Sequence, residues 1–275
     1  MNLDKLFDHA QTLPTIPAVV QELISSFNNE DVTVEDITKL IKTDQVLSAK
    51  LLRLANSAYF HVSRTVSTVD DAVLMLGFVT VRTLVISSGL TGGFKGMPGV
   101  DLKQFWRYSL HTAVAAKWLA KQTHANADLV FTTSLMHAIG VLVMHNAIPE
   151  QTLQIDKIAG PMDSRRMDVE RNSLGYDYAA VGAELANRWK FPDVFARSIR
   201  AFPSPLEQQE FDPVAAHIHL AAWRARADEN HLSKDEVTAT FPIDVAAKLG
   251  LKASVVLGDM PPLAELSAGL EALVA

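Results

Sequence analysis

Residues 77–88 read GFVTVRTLVISS, and whether they form a strand or a helix decides the fold. The stretch is rich in β-branched residues and alternates like a strand, so propensity alone predicts β structure. Nothing nearby supplies a partner strand, however, and a two-stranded sheet by itself is weak. The expectation is therefore a helix, and with it an all-α protein.

The flanking sequence carries helical punctuation. Thr33 and Asp36 have capping-box spacing ahead of Ile37, Leu40 and Ile41, and Asp44 precedes a stripe of Leu47, Leu51 and Leu54. Thr68 and Asp71 repeat the pattern before Val69, Ala72, Val73 and Leu76. Asp212 followed by Pro213 places a proline at a first helical position, and from there Val214, Ile218, Ala221, Ala222 and Ala225 keep helical spacing. Ala222 should therefore face inward. The Gly/Pro cluster TGGFKGMPGV, residues 91–100, is the candidate linker between an N-terminal helical half, 1–90, and a C-terminal half with its extension, 101–275.

Composition narrows the function classes. A chain of 275 residues, 48% hydrophobic and 20% charged, can bury a substantial core. Its 25 basic and 31 acidic residues give a formal charge of −6, which counts against tracking a phosphate backbone by bulk electrostatics. Residues 33–56 could imitate a helix-turn-helix, but Lys39, Lys42, Lys50 and Arg53 are offset by Glu35, Asp36 and Asp44. With no cysteine there is no disulfide framework, thiolate nucleophile or Cys-type zinc site. The opening MNLDKLFDHAQTLP has neither a basic region nor an apolar core of a signal peptide, so a cytoplasmic protein without a membrane segment is expected.

The histidines are the residues that need explaining. His137 and His145 lie in LMHAIGVLVMH, residues 135–145, and His111 lies in YSLHTAVAAKWLA; all sit in apolar helical sequence. The simpler expectation for His111 and His137 is a core histidine with a ring nitrogen bonded to a carbonyl or side chain. His145 follows His137 by 8 residues, roughly 12 Å along a helix and too far to share one ion. His217 and His219 point to different faces. At the end of the Leu47–Leu54 stripe, Asn56, Ser57, Tyr59 and His61 suit either a turn that caps the helix or a polar docking rim at the junction of the halves, for a partner protein or a small ligand.

The strings LPTIPAVVQEL, TDQVLSAKLLRLANSAYF, VDDAVLMLGFVTVRTLVIS, LMHAIGVLV and GYDYAAVGAELANRWKFP together resemble the HDOD domain, a bacterial signalling relative of the HD-type metal-dependent phosphohydrolases. The resemblance runs from Leu13 to Pro205, with weaker continuation through 213–229. It implies two bundled helical halves, the C-terminal one HD-superfamily-like, and a helix at 79–87.

In the catalytic HD relatives a histidine, an adjacent His-Asp pair and a later aspartate hold divalent cations. By this resemblance His111 and His137 match the histidines, while Ala138 and Ala222 stand where the aspartates would be. Tyr178 occupies another usual histidine position, and Phe202 and Pro203 fall where a His-His pair is common. A hydrolytic cation site needs anionic oxygens and an open position for water, which two neutral imidazoles do not supply. Glu170 and Glu184 are the acidic residues nearest in sequence, and Glu184 is expected to face solvent. The resulting expectation is a catalytically degenerate signalling module with no cofactor, vestigial ligand positions at His111 and His137, and a signalling protein as partner. The rivals are a phosphohydrolase with relocated ligands and a nucleic-acid-binding regulator.

Overall fold

The computed structural model describes residues 3–9, 16–26, 33–94, 96–97 and 99–274, and among these every regular element is a helix. Leu13 to Thr15 of the first quoted string, and Lys95 and Pro98 of the 91–100 segment, lie outside the described residues. The first half holds α1 (Leu3–His9), α2 (Ala18–Ser25), α3 (Val34–Thr43), α4 (Gln45–Ala55), α5 (Val69–Leu76) and α6 (Phe78–Gly93). The second holds α7 (Leu102–Gln122), α8 (Ala127–Met136), α9 (Ile139–Ala147), α10 (Pro149–Asp156), α11 (Arg166–Leu174), α12 (Tyr178–Arg188), α13 (Asp193–Ala201) and α14 (Pro213–Glu229). Short helices α15 (Lys234–Ala239), α16 (Ile243–Lys248) and α17 (Leu263–Leu266) follow, with a π turn at Val255–Asp259 and a 3₁₀ turn at Glu271–Leu273.

The caps do what their spacing predicts. Thr33 and Asp36 close a reciprocal box on α3, Asp44 accepts from the Val46 and Leu47 amides, and Asp212 accepts from Val214 and Ala215 ahead of Pro213. At α5 the box is half made: Thr68 accepts from the Asp71 amide, but the Asp71 carboxylate turns to Arg64 at 2.8 Å. Gly77 joins α5 to α6 at φ +80, a conformation that glycine adopts without a Cβ penalty.

The strand-like 77–88 stretch becomes the greater part of α6. This helix is packed by α2, α4, α5 and α8, and buries Val81, Leu84, Val85, Ile86 and Leu90. Burial on several sides removes the need for a polar face, which is why the sequence reads as continuous apolar β-formers. Gly89 lets α2 approach closely, since a Cβ there would lie 2.4 Å from Val20 Cγ2.

The two apolar cores share their central helices. One gathers α2 to α6 against Leu110, Val114, Phe131, Leu135, Phe195 and Ile199; the other surrounds α9, α12 and α14. The chain ends cross over: Leu6 and Phe7 of α1 join the second core, while Leu270 and Leu273 join the first. Thr91 Oγ1 donates to the Leu273 carbonyl at 2.6 Å, and Phe94 packs on Trp106 and Trp189. The run Ala127–Ala147 is long and apolar enough to cross a membrane by composition, at mean hydropathy 1.6 over 18 residues, yet 83% of that 18-residue stretch is buried inside the fold.

Candidate functional site

His137 sits at the break between α8 and α9, with Ala138 as the cap of α9. Its Nδ1–H donates to the Ser134 carbonyl at 2.7 Å; because a carbonyl can only accept, the proton is on Nδ1 and Nε2 is an acceptor. The Tyr108 hydroxyl meets Nε2 at 3.2 Å. The ring lies edge-on to Tyr108 and Phe202, with centroids 5.2 and 5.3 Å away, and Phe202 in turn lies 6.3 Å from Tyr178. Burial drives the His137 pKa down to about 3, so the imidazole is neutral at pH 7. Burial likewise raises both the Tyr108 and Tyr178 phenols. Ala138 and Ala222 are buried apolar core.

Glycine sets the depth of this pocket. Gly140 of α9 is so close to α12 that a Cβ would fall 2.0 Å from the Tyr178 carbonyl oxygen, and Gly182 faces it from α12. The IG of LMHAIG therefore lets the two helices cross backbone to backbone and seats Tyr178 beside Phe202.

The α7 residue that meets His137 is Tyr108, and His111, one turn on, faces the end of α14. His111 Nδ1 lies 3.7 Å from Asp228 Oδ2 and 4.0 Å from Glu229 Oε1, beyond hydrogen-bond length. Arg107 holds Glu229 with two bonds of 2.7 and 2.6 Å, and Arg224 stands 3.6 Å from Asp228. Burial lowers the His111 pKa against the pull of these acids. The resemblance had matched both histidines to one site; the fold turns them toward different neighbours. Among the described residues no group of three or more His, Cys, Asp or Glu side chains is arranged to hold a metal ion.

The acids near the pocket are engaged elsewhere. Glu170 is fully buried, accepts from Arg166 Nε at 2.7 Å and from the Tyr178 amide at 2.7 Å, and so anchors the start of α12. Arg166, also fully buried, bonds Asp156, which lies 3.2 Å from His145 Nε2. Burial pushes the Glu170 carboxyl up to about 7 against the pull of Arg166. Glu184 is half-buried rather than solvent-facing and pairs with Arg188 on its own helix at 2.9 Å. His217 donates to the Pro213 carbonyl at 2.6 Å and meets Thr123 at 2.8 Å, and His219 donates to the Phe202 carbonyl at 2.9 Å.

Asn56 serves the fold: its amide bonds the Leu52 and Val66 carbonyls at 2.8 and 2.7 Å and accepts from the Val66 amide at 2.8 Å, tying the following loop to α4. Ser57 and Tyr59 pack against the backbone of Gly269 from the C-terminal segment. Tyr59 and His61 line a cavity of about 550 Å³ with Lys117, Trp118 and Lys121 of α7, at the junction of the halves.

A larger cavity of about 740 Å³ opens between the start of α7, residues 160–164 and the second half of α14. Arg226 lines it, four residues beyond Ala222 and half-buried. Neither Tyr108 nor Arg226 was singled out by sequence. Their signal was one helical turn of spacing, Tyr108 before His111 and Arg226 after Ala222.

Comparison with known proteins follows the same lines. The family model of the HDOD domain matches residues 13–205. A Shewanella amazonensis SB2B protein named a candidate phosphohydrolase superposes with TM-score 0.80 at 32% identity, with 98% of each chain covered. An HDOD domain protein of unknown function from Geobacter sulfurreducens superposes with TM-score 0.69 at 20% identity over 96% of each chain, which shows the fold alone. An uncharacterised protein of Treponema pallidum (strain Nichols) is 28% identical over 224 residues; these are 80% of this chain and 43% of that protein, so the chain spans less than half of its relative's length.

Proposed function

The chain belongs to the HDOD domain family, and from that premise we propose that it is a cytoplasmic bacterial regulatory module that acts by binding a partner and performs no hydrolysis. The observation that carries this reading is the setting of His137. Both of its ring nitrogens are committed, one to the Ser134 carbonyl and one to Tyr108, and aromatic rings close around it.

In the catalytic HD relatives the same pocket holds a divalent cation among carboxylates. Here a cation would meet a neutral, already bonded imidazole, two phenols whose ionisation burial opposes, and the methyl groups of Ala138 and Ala222. These residues do not fit the ion, because nothing in the set offsets its charge. The loss of charge is matched by a gain in packing: Tyr108, Tyr178 and Phe202 convert the pocket into core. We propose that the protein partner docks at the junction cavity beside Tyr59 and His61, where Trp118 adds an aromatic face and Lys121 stands with Glu265 in the lining, Lys117 being paired with Asp128 at 3.0 Å.

The rival reading, a metal-dependent phosphohydrolase, draws on the name given to the Shewanella relative. Turnover separates the two. Assayed with Mn²⁺ on phosphomonoester and cyclic-dinucleotide substrates, the protein should show no rate above that of His137→Ala. Turnover abolished by His137→Ala would overthrow the regulatory reading.

A further inference from the structure

The cavity of about 740 Å³ is within the range of small-molecule sites, and its lining, which includes Phe105 and Arg226, shares α7 and α14 with the surroundings of His137 without reaching His137 itself. Three charged side chains line it: Asp101, Asp163 and Arg226. Asp101 is spent on the cap of α7, accepting from the Gln104 amide at 3.0 Å. Asp163 is held by a fork from Arg165, with bonds of 3.1 and 2.6 Å. Arg226 is different. Among the described residues it forms no ion pair within 4 Å, although it is half-buried and its charge reaches Asp163 across the cavity.

Its place on α14 makes that isolation informative. Positions four apart share one helix face, so Arg226 projects on the side of Ala222, and of the two Arg226 is the one that lines the cavity. Its positive charge acts on Tyr108, His137, Tyr178 and His219 around the buried pocket and on Asp163 in the cavity wall. A positive charge is thus present near the site after all, as the Arg226 guanidinium. A guanidinium is a planar fork of donors matched to the oxygens of phosphate or carboxylate, and a half-buried one without a protein partner is stabilised when such an anion docks.

We propose that Arg226 makes this cavity a binding site for a small phosphorylated, hydroxyl-bearing metabolite, its phosphate on the guanidinium and its hydroxyls toward Ser164 and Asn230. The volume far exceeds a bare phosphate, and the polar side chains of Ser164 and Asn230 lie in the same lining. The inference rests on the non-catalytic reading of the site and names its ligand class: the phosphate is held and left intact.

The test is calorimetric titration of the full chain in chelator with ribose 5-phosphate, with ribose and inorganic phosphate as partial ligands. Ribose 5-phosphate should bind, ribose should not, and inorganic phosphate should bind more weakly. Arg226→Gln should weaken ribose 5-phosphate at least tenfold with an unchanged melt, Arg226→Lys should recover part of the loss, and Lys39→Gln on the far surface pair should bind as the parent does. Equal binding by Arg226→Gln, or no heat with the parent protein up to about 10 mM ligand, would overturn the proposal. Adding Mn²⁺ distinguishes the two readings. Arg226-dependent binding followed by hydrolysis would keep the anion site and overturn the non-catalytic function, whereas neither binding nor hydrolysis would remove the anion site alone.

Discussion

His137 and His145 lie on one apolar run, both fully buried, and the fold provides for them in opposite ways. His137 is a neutral ring among aromatics, satisfied by one carbonyl and one phenol. His145 stands against Asp156 in a network that continues through Arg166 to Glu170 and the amide of Tyr178. The charges of this half are therefore spent on holding α10, α11 and the start of α12 together, and few are left for chemistry at His137. Burial alone does not mark a functional histidine; the kind of partner does.

The network should break hardest. Arg166→Met leaves the fully buried Glu170 and the half-buried Asp156 without their cation, and the expected loss is about 3 to 5 kcal/mol in urea unfolding. A loss well under that for Arg166→Met would mean that water or rearrangement replaces the guanidinium, and the contrast between the two histidines would be smaller than described.

The aromatic box should show itself in acid. The folded pKa of His137, about 3, lies below the ordinary value of 6.5, so below pH 6.5 the unfolded chain takes up a proton that the folded chain refuses. The stability it contributes is present above pH 6.5 and is lost as pH falls toward 3, at about 1.4 kcal/mol per pH unit. Removing the titration with His137→Gln should flatten the stability profile between pH 6 and 4 by about one proton; parallel profiles would show that His137 is protonated within the fold.

How much of this could be read beforehand depends on whether the cause was local. The caps at Thr33, Asp44, Thr68 and Asp212 were legible because a cap is a contact within three residues of sequence. The 77–88 stretch was not decided by its own residues; its helix follows from the four helices that pack around it. At the site, Ala138 and Ala222 could be found by resemblance, but the part played by Tyr108 could not, because it depends on how α7 is rotated against α8. Arg166 and Glu170 sit in RRMDVE, where four of six residues are charged, and only the tertiary fold reveals these two as fully buried.

A smaller effect bears on the boundary proposed at residues 91–100. Limited proteolysis should cut there first, since Gly96 and Gly99 both have positive φ and the second half of the segment leaves α6. First cleavage elsewhere would mean that the shared cores, with the Thr91 bond to Leu273, guard the junction as firmly as they guard the helices.

Metal content tests the central claim most directly. Protein purified without chelator, and then titrated calorimetrically with Mn²⁺ and Zn²⁺, should hold no stoichiometric metal. Ala138→Asp should still hold none while losing about 1 to 4 kcal/mol of stability, because its new carboxylate is buried among apolar neighbours and the acid missing at Ala222 remains missing. Stoichiometric metal in the unaltered protein, lost on His137→Ala, would contradict the account.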